Sequence, residues 1–425
     1  MKKGYSFNFP IYIVFLFVYT FAMMTPGYFQ TRIVTLVSHA CLVLGLIFLI
    51  INHYKPTHFI VLTTIYFAFN ILNTYINHGE SANFSYIIRY TKYLVYLANI
   101  DLCVCKLGKR RAITPIFYFL LIVVLIDCAT IYLFPKGLYM DSVTADIAYE
   151  VPKWIFGAKN NHIIWYVVTI YLCSLLAFSN NGKAFFYKIM LIILMVLSSG
   201  AMYILESSTS LGTILICDLG LILTFLFNKK IKTKKLTTIC VVCYFVFLYI
   251  ILFGDKSFLE PIVESLLGKE MTFTGRTEIW EITINYIKCH PLFGVGVLSQ
   301  LEAINLLRDA APGLVNCHNH FLQVIWEGGL FLIAIYIIQL FMIVQNLNKS
   351  KNNMMRTFSL FVLIALFFEM TFEVEYGLGV WICLLCMYDS LYLENDTAKV
   401  KEKKPFSYAK MKCPERIEAL WKKVI

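Results

Sequence analysis

Twelve runs of apolar residues divide the chain, approximately at 9–24, 33–51, 58–76, 84–104, 113–134, 161–179, 185–204, 211–227, 236–253, 321–345, 357–373 and 377–393. A helix rising about 1.5 Å per residue needs roughly 20 apolar residues to cross a hydrocarbon core about 30 Å thick. Backbone polar groups in lipid must be satisfied within the segment, so each run is expected to be a transmembrane helix. The first run, after Met1-Lys2-Lys3, lacks a small-residue cleavage site and is read as the first helix rather than as a signal peptide. Between the ninth and tenth runs the pattern changes, because 254–320 is the one long segment that is neither apolar nor strongly basic. Four parts are therefore expected: a membrane bundle over 1–253, a polar loop over 254–320, further membrane helices over 321–393, and a basic tail over 394–425. Within the loop, Arg276 to Cys289 has helical periodicity, with Ile279, Trp280, Ile284 and Ile287 apolar and Arg276, Glu278, Glu281, Asn285 and Lys288 polar. Thr274 or Thr277 suits its N-cap, His290-Pro291 ends it, and Gly294 and Gly296 turn the chain. In the tail, Ile417, Leu420, Trp421 and Val424 fall on one face of a short helix suited to the inner leaflet.

Composition agrees with this architecture. Hydrophobic residues make up 59% of the chain, charged residues 15%, and mean hydropathy is +0.70, which excludes an ordinary soluble domain. The fold class is an all-α polytopic membrane protein of about twelve spans. Most of the 37 Lys and Arg lie in alternate loops and in the tail, and positive charge is retained on the cytoplasmic side. Both termini are then cytoplasmic, and every long polar loop, 254–320 included, faces outward. The net charge of +11 reflects this topology and anionic headgroups, so no nucleic-acid partner is expected. Most of the 13 cysteines lie inside spans, and Cys240/Cys243 and Cys383/Cys386 lack the second pair that a zinc site needs. Cys289 and Cys317 lie in the outer loop, where an oxidising exterior permits a disulfide. Gly294-Val-Gly296 lacks the third glycine of a dinucleotide fingerprint, and neither a P-loop nor a metal-ligand cluster stands out, so no cofactor is expected.

A few polar residues fall where packing does not demand them. Arg89, Lys92 and Tyr96 recur at i, i+3 and i+7 on one face of the fourth span, where cations either face a cavity or snorkel to the interface. Trp154 to His162 forms an outer turn with donors at Lys159, Asn160 and Asn161, although the asparagines also suit a helix cap. Glu206 to Ser210 breaks spans seven and eight, and its acid has no obvious structural task. His318 and Asn319 stand where the long loop re-enters the membrane, which makes His318 a candidate base or donor as well as a structural residue.

Gly275-Arg276 with Trp280, then Pro291 to Gly296, then His318-Asn319 with Phe321-Leu322-Gln323 and Glu327-Gly328-Gly329, resemble the O-antigen ligase and O-antigen polymerase family of membrane glycosyltransferases. The resemblance implies a GT-C-type fold, sited in the bacterial cytoplasmic membrane. Its implied activity is metal-independent transfer of a glycan from an undecaprenyl-pyrophosphate-linked donor to an acceptor hydroxyl on the outer face. Arg276, able to bind phosphate oxygens bidentately, is the implied leaving-group residue, with Arg89, Lys92 and Lys159 as helpers. His318 is the implied base, since an imidazole titrates near neutrality. Glu278 or Glu281 would orient either group or bind sugar hydroxyls, and Asn160, Asn319 and Gln323 complete the substrate-binding set. Trp280 and Trp326 suit sugar stacking or interface anchoring. Two departures stand out: Ser207 to Ser210 supply no cation before span eight, and Gly329 is followed three residues later by Leu332 rather than Gly. The leading expectation is a polymerase of lipid-linked repeat units, beside a flippase and a chain-length regulator. The alternative is a ligase moving the polymer to a lipid or wall acceptor. A flippase or transporter would instead show inverted halves and interrupted helices around a mid-membrane site.

Overall fold

The computed structural model describes residues 9–79, 85–142, 150–179, 182–227, 233–253, 276–307 and 316–389. The opening of the polar loop with Gly254, Thr274 and Gly275, and the expected tail helix, lie outside the described residues.

Twelve helices coincide with the twelve apolar runs: α1 Phe9–Met23, α2 Arg32–Ile51, α3 His58–His78, α4 Ser85–Leu107, α5 Lys109–Leu133, α6 Ile163–Ala177, α7 Ala184–Ile204, α8 Ser208–Phe227 and α9 Thr233–Phe253, then α12 His320–Lys349, α13 Asn353–Phe372 and α14 Leu378–Tyr388. Among the described residues, eight helices are long and apolar enough to span a membrane, while stretches of α1, α9 and α14 form shorter apolar helices. α4, with Arg89, Lys92, Asp101 and Lys106 along it, is in neither group. The polar loop contributes α10 Arg276–Cys289, as its periodicity predicts, and α11 Gln300–Leu307. The chain is not wholly helical: β1 Tyr139–Ser142 and β2 Glu150–Lys153 pair antiparallel between α5 and α6, with Asp141 opposite Val151.

α6 and α13 are buried around nearly their whole circumference and form the centre of the bundle, with α13 packed along α8 and α6 along α7. Peripheral helices turn apolar side chains outward, among them Ile33, Leu36, Ile47 and Ile50 of α2, the surface expected of lipid contact.

α12 is broken at Gly329 (φ 62°, ψ −161°). The chain from Pro291 to Gly296 lies against the break and completes its hydrogen bonds. Leu330 and Phe331 donate N–H to the carbonyls of Pro291 and Leu292 (2.8 and 3.1 Å), while Val295 and Gly296 donate to those of Trp326 and Glu327 (3.0 and 2.8 Å). A Cβ on Gly329 would lie 2.3 Å from the Leu292 carbonyl, and one on Gly294 would lie 2.4 Å from the Trp326 oxygen. These glycines therefore serve close backbone approach as well as turning the chain. Beneath the break Glu327 is buried, accepting hydrogen bonds from Gln323, Asn70 and Tyr376.

Candidate active site

His318 and Glu373 meet where α12 and α13 reach the same end of the bundle. Asn319 caps α12, its side-chain oxygen accepting the Leu322 N–H (3.0 Å) and its amide donating to the Thr371 carbonyl on α13 (2.9 Å). His318, one residue earlier, takes a left-handed φ of 48°, and its N–H is held by the Asn316 side chain (2.9 Å). On its other side, the Cys317 N–H donates to Gln323 Oε1 (3.2 Å), and the Cys317 carbonyl accepts from Trp280 Nε1 (3.0 Å). The backbone around the imidazole is thus tied to α10, α12 and α13 at once.

Glu373 follows α13 directly and joins four segments. Its Oε2 lies 2.8 Å from His318 Nδ1, and its Oε1 lies 2.6 Å from Arg276 Nη2 and 2.8 Å from Asn160 Nδ2. Arg276 opens α10, so the helix read from sequence brings its first cation to this carboxylate. Asn160 accepts in turn from Ser207 Oγ (2.9 Å), which lies 2.9 Å from Ser210 Oγ. The Ser207 and Ser210 hydroxyls at the start of α8 therefore hold the amide that holds Glu373.

His318, Glu373, Lys159 and Asn160 line a cavity of about 1100 Å³ with Glu206, Tyr93 and Trp165 among its walls. Lys159 is the only Lys or Arg among the described lining residues. Glu375, two residues beyond Glu373, also lines the cavity. Its pKa is pushed well above the usual carboxylate range, first by burial and then by the charges of Glu369 and Glu373.

Several other expected site residues lie elsewhere. Arg89 is exposed, with its guanidinium 5.3 Å from the Tyr86 ring centroid, and Lys92 Nζ donates to Ser38 on α2 (2.6 Å); neither lines the cavity. Glu278 and Glu281 are exposed on α10 and do not line it either. Asn319 and Gln323 are buried and engaged with backbone and with Glu327. Trp280 and Trp326 are buried in the packing of α10 against α12, so neither presents a stacking face. Cys289 and Cys317 are both free thiols. Glu373 escapes a sequence reading because it follows His318 by 55 residues and Arg276 by 97. The signal that points to it is the group of acids Glu369, Glu373 and Glu375 around the end of an apolar run, where carboxylates are costly.

Residues 193–337 match the family model described as O-Antigen ligase, a stretch that includes Arg276 and His318 but ends before Glu373. No curated protein matches the chain significantly. The matched stretch runs from the second half of α7 to the middle of α12 and carries Arg276 and His318, which meet at Glu373. The multi-pass helical bundle thus carries, over residues 193–337, a domain similar to the O-antigen ligase family, which supports a membrane glycosyltransferase of the O-antigen ligase or polymerase type.

Proposed function

We propose that the chain is a polysaccharide polymerase of the outer face of the bacterial cytoplasmic membrane, joining undecaprenyl-pyrophosphate-linked repeat units in the cavity bounded by His318, Glu373 and Lys159. The observation that carries this reading is the 2.8 Å contact between His318 Nδ1 and Glu373 on a cavity wall. With an N–H on Nδ1 facing the carboxylate, Nε2 is left to take a proton, the arrangement by which a carboxylate orients a histidine base. The acceptor hydroxyl loses its proton to Nε2 as its oxygen bonds to the anomeric carbon of the donor. The bond from that carbon to the pyrophosphate oxygen breaks, and the pair of electrons leaves with the pyrophosphate.

Lys159 stands where it can balance the departing charge. Arg276 pairs with Glu373 on the side away from His318 and adds a second positive charge behind the wall. Gln323 and Asn319 act by positioning His318, and Arg89 and Lys92 by meeting headgroups outside the cavity. Pyrophosphate is a good leaving group, so the protein's cations serve for the transfer without a metal.

Purified protein in proteoliposomes, supplied with lipid-linked repeat units alone, is expected to build a ladder of products. A requirement for a separate lipid acceptor, with single transfer and no ladder, would replace the polymerase by the ligase. No glycosidic bond under either condition would reject both.

A further inference from the structure

The turn that brings Lys159 and Asn160 to the cavity is folded tightly. Trp154 and Gly157 exchange backbone hydrogen bonds of 2.9 and 3.0 Å, Trp154 Nε1 donates to the Phe134 carbonyl (2.8 Å), and Phe156 stacks on Trp165 with centroids 4.4 Å apart. Gly157 has φ +103°, and a Cβ there would lie 2.9 Å from Asn161 Nδ2.

One side chain fastens this turn to the interior of the bundle. His162, fully buried, places Nε2 3.2 Å from the Gly157 carbonyl and Nδ1 2.8 Å from Asp127 Oδ2 on α5. Tyr166 also donates to Asp127 Oδ2 (2.8 Å), and Asp127 is fully buried. Both ring nitrogens lie within hydrogen-bond distance of an oxygen, so the imidazole ties the Asp127 side chain to the Gly157 carbonyl. The pair places two polar side chains in a part of the bundle where such groups are costly unless they are partnered.

Neither Asp127 nor His162 lines the cavity, so neither is placed to touch substrate. A bonded path nevertheless runs from them to the catalytic wall: Asp127 to His162, His162 to the Gly157 carbonyl, and within the same turn Asn160 to Glu373 (2.8 Å), which holds His318 (2.8 Å). An apolar pair would pack this corner more cheaply. A buried hydrogen-bonded pair adds a directional grip on one carbonyl, the one at the turn's left-handed residue.

We infer that Asp127 and His162 are positioning residues for the transfer reaction, fixing the turn that presents Lys159 to the leaving pyrophosphate and Asn160 to Glu373. The inference rests on the proposed reaction for its catalytic half, while its structural half is measurable without turnover.

Two measurements on full-length protein test it. Hydrogen exchange of the peptide spanning 154–161 is expected to rise about tenfold or more in Asp127→Asn, with α7 and α8 unchanged, because the grip sets the local opening equilibrium. Unchanged exchange in that peptide overturns the inference. In proteoliposomes, Asp127→Asn is expected to lower kcat with little change in KM for the lipid-linked donor, by up to about a hundredfold, the cost of small misplacement at a reacting centre. The same substitution made on top of Lys159→Ala/Asn160→Ala is then expected to cost nothing further. Full multiplication of the two losses shows a general weakening of the bundle and overturns the positioning role. Should Asp127→Asn fail to accumulate, Tyr166→Phe removes only one bond to the carboxylate and is expected to move both readouts in the same direction by a smaller factor; no movement overturns the inference. If His318→Ala retains transfer, the proposed reaction fails while the exchange result still decides the grip.

Discussion

His318 and Glu373 form a unit in which each depends on the other for position. His318→Ala is expected to reduce polymer formation by about 10²- to 10⁴-fold, the usual contribution of a positioned acid or base, with protein accumulation unchanged. Glu373→Gln keeps the shape but loses the charge facing Arg276 and the imidazole, and is expected to approach the same loss; polymer at wild-type level from either variant rejects the base assignment. Glu375 behaves differently. Its folded pKa is raised, so its contribution to stability is present below the unfolded value of about 4.3 and is lost as pH rises through the folded value. Glu375→Gln is therefore expected to raise the thermal midpoint in detergent at pH 8 and to have no effect near pH 4. A midpoint difference that grows toward low pH contradicts this. At this scale Arg276 and His318 were legible because each is a chemically distinctive residue within a short motif. Glu373 was not, because its partners are set by contacts across 55 and 97 residues.

The elements divide in the same way. Periodicity alone placed α10 at Arg276–Cys289 and the ends of most spans within a few residues, since amphipathicity and length are local properties. The break in α12 is not local: Gly329 takes its conformation because Pro291 to Gly296 supply and accept the hydrogen bonds that the interrupted helix lacks. Gly329→Ala is expected to cost about 1–3 kcal/mol from the left-handed backbone alone, and more from the contact with Leu292. The measurement is the fraction of folded protein recovered in detergent and its thermal midpoint; a stability equal to wild type would show that the loop does not occupy the break. An interrupted helix is a feature expected of transporters, yet here the gap is filled by the protein's own loop. The hairpin β1–β2 was not expected either, because four-residue strands with Pro152 carry too little alternation to stand out in a polar loop.

For the whole molecule, the predicted orientation puts the hairpin, α10 and the cavity on one outer face. A cysteine replacing exposed Met140, in a background lacking the native thiols, is expected to react with a membrane-impermeant reagent applied from outside; labelling only after permeabilisation inverts the topology. Transfer is expected to persist in excess chelator, since the proposed stabilising charges belong to Lys159 and Arg276; loss of turnover restored by a divalent cation would contradict the metal-independent reading. Arg89→Gln/Lys92→Gln is expected to leave donor KM within about twofold, in keeping with side chains that lie outside the cavity.

Residue types and their order along the chain determined that this is a polytopic helical membrane protein, where its apolar helices lie, and that the polar segment before α12 holds the distinctive chemistry. Those properties follow from solvent preference and helical period, which act over one or two turns. Only the tertiary structure decided that the distinctive residues converge on Glu373, that Lys159 rather than Arg89 or Lys92 reaches the cavity, and that the buried Asp127–His162 pair stands behind the Lys159 turn. Those relations arise from packing between helices far apart in sequence, where the partner of a charge is chosen by the fold.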